Sequence, residues 1–305
     1  MHKKIMKIRA KEVIVKLWEM FGEGIEFACV DCHKTNEALT GITLKLSGCS
    51  KAPVVWMEDM PETGSVEEIA NIAAAAFQEA MRSFGDGQIP PLPNLSRDYI
   101  LDNVVLQAVG RKRNRQLLRE HPHILCLDLA GIFRIPVGKY EKNSLQTMLI
   151  SNQIAKKFAL SSDELTAAAC RNTLDKFGVK FIHARETFGL FPGDQQKDIP
   201  FAEAAMDQPG LFVLTNDIQI NGAALMLIPE ILEQIGEKAG MDYYILPTSI
   251  HEIMIAKKDG LLGAKKLKSL VYKGNHTAGI VEPADILSDS VYLYCRQSKI
   301  LQIAK

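Results

Sequence analysis

The segment Thr248–Glu252 brings a hydroxyl, an imidazole and a carboxylate together directly after Pro247, which is expected to end a strand. Where the backbone is extended, Ser249 and His251 project to the same side, and a Ser–His pair can activate a nucleophile. No Gly-x-Ser-x-Gly elbow surrounds the serine. Hydrogen bonds that satisfy a turn explain the same residues more simply, so a structural or binding role is favoured over catalysis.

Two asparagines lie in a turn that precedes this segment. The predicted strand Leu211–Thr215 is followed by a turn with Asn216 and Asn221 at its ends, and loops at strand ends commonly display binding groups. The candidate binding residues are Asn216, Asn221, Ser249, His251 and Glu252. If they form a ligand site, they must converge in one concave pocket.

The motif Cys29-Val-Asp-Cys32-His33 has the spacing of a covalent haem attachment site. Two thiols and an imidazole are also plausible zinc ligands. No second ligand pair at metal-binding spacing accompanies the motif, and no signal peptide is recognised for the export that haem attachment requires. We therefore expect no metal and no cofactor.

Charged residues elsewhere allow two further hypotheses. Asp128 falls in an apolar run that is predicted to be a strand, and a buried carboxylate needs a partner. Arg134 or the basic run Arg111–Arg119 could provide it, and a structural ion pair is favoured over a catalytic acid. The basic run could also contact phosphate, but the chain has 36 basic and 36 acidic residues. This balance argues against a nucleic-acid binder and favours a solvated helix face.

Apolar runs and breakers around the candidate residues predict strand, strand, helix, strand, strand. Proline is tolerated at the first helical position, so the helix is expected to begin at Pro229. Gly240 supplies its C-terminal stop. The five predicted elements are Leu211–Thr215, Ala223–Ile228, Pro229–Gly240, Tyr243–Leu246 and His251–Ala256.

The N-terminal part of the chain is predicted to be a small domain of helix, three strands and helix. Ser65 and Glu68 have the spacing of a capping box at the start of the second helix. The stretch GDGQIPPLPN, residues 85–94, has the composition of a linker. We therefore expect domains at 1–88 and 95–305. The earlier elements are predicted at Ala10–Phe21, Ile25–Asp31, Leu39–Leu46 and Pro53–Glu58.

The larger domain is predicted to mix strands and helices, which makes the fold class α+β with mixed sheets. Tyr99–Val109 fits a strand or a helix equally well. Thr187–Pro209 has no regular period and is expected to be a long loop. The other predicted elements are a hairpin of Leu125–Val137 with Leu145–Ile150, a helix capped at Ser161, and a strand at Val179–Ala184.

The composition is typical of a globular protein. Hydrophobic residues make up 47% of the 305 residues, and the apolar runs are far shorter than the roughly 18 residues of a membrane span. The six cysteines show no disulfide framework spacing, so reduced thiols in a cytoplasmic protein are expected.

Four segments together resemble a bacterial family known only as a domain of unknown function, DUF5688. They are CLDLAGIF around Asp128, LTND…NGAALMLIP from Leu214, ILPTSIHEIMI from Ile245 and ILSDSVYLY from Ile286. The resemblance covers nearly the whole chain, and its C-terminal half contributes most. It implies a cytoplasmic protein with no assigned activity.

The sequence as a whole favours a non-catalytic binding or protein-interaction module whose partner is a protein or a small ligand. An unrecognised hydrolase that uses Ser249 and His251 is the alternative. Neither a membrane nor a nucleic acid is expected as a partner.

Limited proteolysis tests the predicted domain boundary. Cleavage is expected first between Gly85 and Asn94, with release of a folded N-terminal fragment, because that stretch lacks any core-forming pattern. Mass spectrometry of the earliest fragments locates the cut. First cleavage elsewhere, with residues 85–94 resistant, would indicate one fused domain.

Overall fold

The computed structural model describes residues 2–22, 25–45, 52–85, 93–138, 140, 143, 145–184, 201–206 and 210–305. The chain forms two compact units, residues 1–92 and 93–305. Most of the predicted linker and of the predicted loop Thr187–Pro209 lies outside the described residues. The ability of the first unit to fold alone stays a prediction.

The first unit contains two helices and a three-stranded antiparallel sheet. Its core contains Leu17 of the first helix, Ile42 of the sheet and Phe77 of the second helix, all fully buried. Ser65 caps the second helix, since its Oγ accepts the Glu68 N–H at 3.1 Å. The elements are α1 (His2–Phe21), β1 (Glu26–Lys34), β2 (Glu37–Lys45), β3 (Val54–Trp56), a 3-10 turn (Met57–Asp59) and α2 (Val66–Gly85).

The second unit begins with a four-stranded antiparallel sheet in which β6 pairs with each of the other three strands. Helix α6 begins with the predicted capping box of Ser161 and Glu164. The elements are α3 (Arg97–Asn103), β4 (Val105–Gly110), α4 (Arg115–Glu120), β5 (His123–Cys126), β6 (Leu129–Pro136), β7 (Thr147–Leu149), α5 (Asn152–Lys157) and α6 (Ser162–Phe177).

A six-stranded antiparallel sheet with order β13-β12-β10-β11-β9-β8 follows. The largest apolar cluster joins the two sheets of this unit, with Phe133 on one sheet and Leu214 and Ile245 on the other. The elements are β8 (Lys180–His183), β9 (Leu211–Thr215), α7 (Pro229–Ala239), β10 (Tyr243–Leu246), β11 (Ile253–Lys257), α8 (Ala264–His276), β12 (Tyr292–Cys295) and β13 (Ile300–Ile303). The α+β fold class is confirmed.

The predicted strand at Ala223–Ile228 is wrong, because Gly222–Leu227 forms a 3-10 helix. All six of its residues are buried, and a short apolar run that is buried on every side has no period that separates strand from helix. The predicted helix that follows is confirmed. It begins at Pro229, and Gly240 ends it with a left-handed φ of 69°.

Several other boundaries differ from the sequence prediction, and α1 begins at His2 instead of Ala10. Leu125–Val137 is two strands, because a turn at Leu127–Asp128 divides it into β5 and β6. Tyr99–Val109 contains the end of α3 and most of β4, so both interpretations held in part. The last predicted strand of the candidate region starts at Ile253, so His251 and Glu252 precede it.

Gly222 is the point of closest backbone approach beside the candidate residues. A Cβ atom there would lie 2.3 Å from Thr215 Oγ1 and 2.6 Å from the His251 carbonyl oxygen. Both atoms belong to one hydrogen bond, in which Thr215 Oγ1 donates to the His251 oxygen at 2.8 Å. A side chain at position 222 would therefore displace β9 or the segment that carries His251.

Gly222→Ala is expected to lower the free energy of unfolding by about 1–3 kcal/mol, as other overpacked cores do. Gly274→Ala is the matched control, since a Cβ there meets nothing within 4 Å. Alanine at this helical position should be neutral or stabilising by up to about 1 kcal/mol. Urea denaturation measures both variants, and equal stabilities would contradict the packing described.

Candidate ligand-binding site

A cavity of about 770 Å³ in the second unit is lined by three of the predicted residues, Ser249, His251 and Glu252. Its walls come from β9, β10, β11, α8 and residues 280–285. Two of its apolar lining side chains are exposed, Leu270 at 46% and Ile280 at 63%. The lining therefore combines apolar side chains with the polar residues Ser249, His251 and Glu252, which we call the polar floor.

The polar floor is held by hydrogen bonds between two segments that are distant in sequence. Ile250 N–H donates to the Asp285 carbonyl oxygen at 2.8 Å. Ser249 forms an isolated antiparallel bridge with Ile286, and Leu287 N–H donates to the Thr248 carbonyl at 3.4 Å. The stretch after β10 is thus fixed against the stretch before β12.

Ser249 has a local structural partner. Its Oγ accepts the backbone N–H of His251 at 3.0 Å, and the residue is only 7% exposed. This is the hydroxyl-to-backbone bond of a serine turn. It shapes the bend that presents His251 to the cavity.

Both ring nitrogens of His251 have partners other than Ser249. Nδ1 accepts the Asn221 backbone N–H at 3.3 Å, which places the ring proton on Nε2. Nε2 lies 3.4 Å from Asp285 Oδ1. A nucleophilic dyad needs a histidine nitrogen that faces the serine oxygen, and the described contacts give no support to one.

Glu252 is half-buried and lines the cavity. Burial raises the pKa of its carboxyl above the ordinary value of 4.5, and the nearby His251 opposes this shift. Among the described residues its carboxylate has no hydrogen-bond partner. Since a desolvated carboxylate without a donor is costly, the position favours a ligand that brings one.

Glu282 and Asp285 add two further carboxylates to the cavity wall. With Glu252 they make the wall acidic, and His251 is the basic group nearest to them within the lining. These two acids were missed from the sequence, because they lie some thirty residues beyond the predicted cluster. No local pattern in the sequence indicates that residues 280–285 lie beside the predicted cluster in the fold.

The two predicted asparagines have different positions. Asn221 adopts a left-handed φ of 57° and reaches the site through its backbone N–H. Asn216 is 1% exposed, and its amide is bonded at both ends to Ile220, donating to the oxygen at 2.8 Å and accepting the N–H at 3.3 Å. Asn216 therefore closes the turn and does not line the cavity.

Asp128 has hydroxyl partners and not the predicted arginines. Its Oδ2 accepts hydrogen bonds from Ser288 Oγ and Ser290 Oγ, both at 2.8 Å. Its Oδ1 accepts the Tyr292 hydroxyl at 2.5 Å. The correction has a simple cause: Asp128 lies in a turn and faces residues spaced two apart, which share one side of an extended chain.

Arg134, which was expected to pair with Asp128, is bonded elsewhere. Its Nη1 donates to Gln107 Oε1 at 2.8 Å and its Nε to Thr147 Oγ1 at 2.6 Å. Burial lowers the pKa of this guanidinium. These neutral acceptors belong to the strands that flank β6.

The Cys29–His33 motif lies in β1. Because side chains alternate along a strand, Cys29 and Cys32 project to opposite faces and cannot share one ion without rearrangement. No group of three potential ligands suited to a metal occurs within the described part of the chain. That the motif is free of metal stays a prediction.

Comparison with known proteins gives one result. The family described as "Family of unknown function (DUF5688)" matches residues 9–296, which span both units. No curated protein and no solved structure gives a significant match. Among the helices within the described ranges, none combines the length and apolar character needed to cross a membrane.

Asp128→Ala is expected to lower the free energy of unfolding by about 3 kcal/mol, because hydrogen bonds to a charged group are lost and the fully buried Tyr292 keeps an unpaired hydroxyl. Asp102→Ala is the control, since Asp102 is exposed on α3. Guanidinium denaturation measures both. A difference under about 0.5 kcal/mol, the usual range of surface substitutions, would show that the contact is not stabilising.

Proposed function

We propose that this chain, which belongs to the family of unknown function DUF5688, is a non-catalytic binding module that recognises a ligand with an apolar body and a cationic group. The observation that carries the proposal is Glu252. It is a half-buried carboxylate on the wall of a cavity of about 770 Å³, with no hydrogen-bond donor among the described residues.

The rest of the lining supports the same ligand class. Glu282 and Asp285 add negative charge near Glu252, and Leu246 and Met254 are among the apolar side chains that continue the wall. A site of this size holds a small organic molecule or one side chain of a partner. An alkylamine and a protruding lysine present the same chemistry, a methylene chain that ends in an ammonium group.

The hydrolase alternative has weaker support. A serine nucleophile needs a base and donors for the oxyanion, whereas Ser249 accepts a backbone N–H and His251 is held by Asn221 and Asp285. Reaction of Ser249 with a fluorophosphonate probe, abolished by His251→Ala, would restore the alternative. We expect no such labelling.

A cytoplasmic location is part of the proposal. Four of the six cysteines, Cys29, Cys126, Cys170 and Cys295, are free thiols among the described residues. Free thiols are typical of proteins that function in a reducing compartment.

Ligand class is tested by thermal shift with n-hexylamine and, at equal concentration, hexanoate. The amine should raise the Tm of the wild type by about 2 °C or more at saturation, since binding to the folded state stabilises it. Hexanoate should not. Glu252→Gln should lose the response to the amine, and Glu230→Gln, an exposed change on α7, should keep it. Equal responses to both compounds, or an unchanged response in Glu252→Gln, would refute the proposal.

The raised pKa of Glu252 predicts a pH dependence in the free protein. An acid whose folded pKa lies above its unfolded value binds protons more tightly when folded, so stability falls as the pH rises from about 4.5 through the folded pKa. Glu252→Gln should therefore be more stable than the wild type at pH 7. The difference should shrink below pH 4.5, the ordinary value. Denaturation curves at pH 4 and pH 7 test this, and a less stable Glu252→Gln at pH 7 would contradict it.

A further inference from the structure

A second cavity, of about 630 Å³, lies beside α4 and β5 and shares no lining residue with the proposed amine site. Three of its four apolar lining residues are exposed: Leu125 at 59%, Leu127 at 36% and Ile303 at 43%. We call it the basic groove, because its remaining lining is dominated by arginine and lysine. It contains the basic run that the sequence hypothesis placed on a solvated helix face.

The apolar floor follows from the alternation of side chains along β5. Ile124 and Cys126 pack against the main core, so His123 and Leu125 point to the opposite face. On that face Leu117 and Leu118 of α4 cover the neighbouring strands. Since α4 has only six residues, it leaves Leu125 uncovered.

Four exposed cations surround this floor, Arg111, Lys112, Arg115 and Arg119. Within the described residues none of the four forms an ion pair. Exposed lysines elsewhere in the unit form ion pairs, for example Lys299 with Glu233 at 2.6 Å. The groove therefore keeps an unneutralised positive charge.

Asp128 is the one carboxylate of the groove, and its oxygens are already engaged. Three hydroxyl groups occupy them at 2.5–2.8 Å. Arg111 instead donates from Nη1 to the Leu127 carbonyl at 2.7 Å. Anionic groups from another molecule thus face several exposed cations across an apolar floor.

Two sheet edges border the groove. Within the described part of the chain β5 pairs with β6 alone, and β13 is the terminal strand of its sheet and pairs with β12 alone. His123 and Leu125 belong to β5 and Ile303 to β13. An open edge offers backbone donors and acceptors to an extended segment of another chain.

We propose that the basic groove binds an extended acidic segment of a partner protein, in which Asp or Glu residues alternate with large apolar ones. The apolar side chains contact Leu125, Leu127 and Ile303, and the carboxylates face the four cations. The alternation suits a strand, whose successive side chains point to opposite sides. Charge complementarity selects the partner, and the apolar floor and the open edges hold it.

A single-stranded nucleic acid fits the groove less well. Such strands bind where bases stack on aromatic side chains along a charged track. The groove lining contains no phenylalanine, tyrosine or tryptophan, and its centre is aliphatic. Nucleic acid is therefore the competing outcome of the test.

The test uses fluorescence anisotropy of the full chain with a labelled peptide, Glu-Leu-Glu-Leu-Glu-Leu-Glu, in about 50 mM salt. The probes for comparison are the same peptide with Lys for Glu, a heptapeptide of Glu alone, and a twelve-nucleotide single-stranded DNA. Binding of the Glu-Leu peptide in preference to all three is expected. Affinity should fall as salt rises, because exposed charges are screened.

Two variants localise the binding. The double variant Arg115→Glu with Arg119→Glu should lower the affinity for the Glu-Leu peptide at least about tenfold, since like charges then face the peptide. Lys265→Glu with Lys266→Glu, on exposed positions of α8, makes the same change of charge away from the groove and should bind as the wild type does. Leu125→Ser should lower the affinity for the Glu-Leu peptide. It should leave the melting temperature nearly unchanged, since Leu125 is exposed.

Several results would overturn the proposal. They are the absence of binding by the wild type, tighter binding of DNA, equal binding of the all-Glu peptide, and equal losses in the two double variants. Circular dichroism of each variant confirms that it is folded before binding is measured. The amine response of the cavity at Glu252 should be unaffected in all of them, which separates this test from that of the proposed function.

Discussion

The carboxylate of Asp128 joins parts of the second unit that are 160 residues or more apart in sequence. It accepts hydrogen bonds from two serine hydroxyls that precede β12 and from Tyr292 at the start of β12. These bonds fix the segment that runs from Glu282 into that strand. The same segment bonds through its backbone to the stretch Pro247–Ile250. These hydrogen bonds determine the position of Asp285. They therefore also determine where the His251 ring is held.

The basic groove depends on the same carboxylate. Because its oxygens are occupied by hydroxyls, Asp128 does not form ion pairs with the arginines that surround it, although sequence reasoning expected one. The hydrogen bonds that hold the segment before β12 therefore leave the arginines next to β5 without a carboxylate partner. Arg113 of the basic run also contacts the segment that leads into β12, because its Nη1 donates to the Pro283 carbonyl oxygen at 2.8 Å.

Several of the elements that were predicted correctly have a chemical signal at their ends. Pro229 and Gly240 bound α7, and the serine caps at positions 65 and 161 begin α2 and α6, because each supplies or removes a specific backbone bond. The 3-10 helix at Gly222–Leu227 has no such signal within it. Burial on all sides decides its shape, and burial is a property of the whole fold.

The candidate site shows the same division. Ser249, His251 and Glu252 were found because polar residues interrupt an apolar stretch, and the cavity contains all three. The sequence could not show that Asn216 turns inward, nor that Glu282 and Asp285 arrive from a later segment. Those facts come from tertiary pairing, which a local pattern does not encode.

The late position of residues 280–292 has a consequence for synthesis on the ribosome. The strands β9, β10 and β11 and the residue Glu252 are made first, but the wall that closes their cavity follows some thirty residues later. At about 5–20 residues per second, a nascent chain exposes this apolar surface for a time on the order of seconds. During that interval the unfinished protein exposes apolar surface of the kind that chaperones bind.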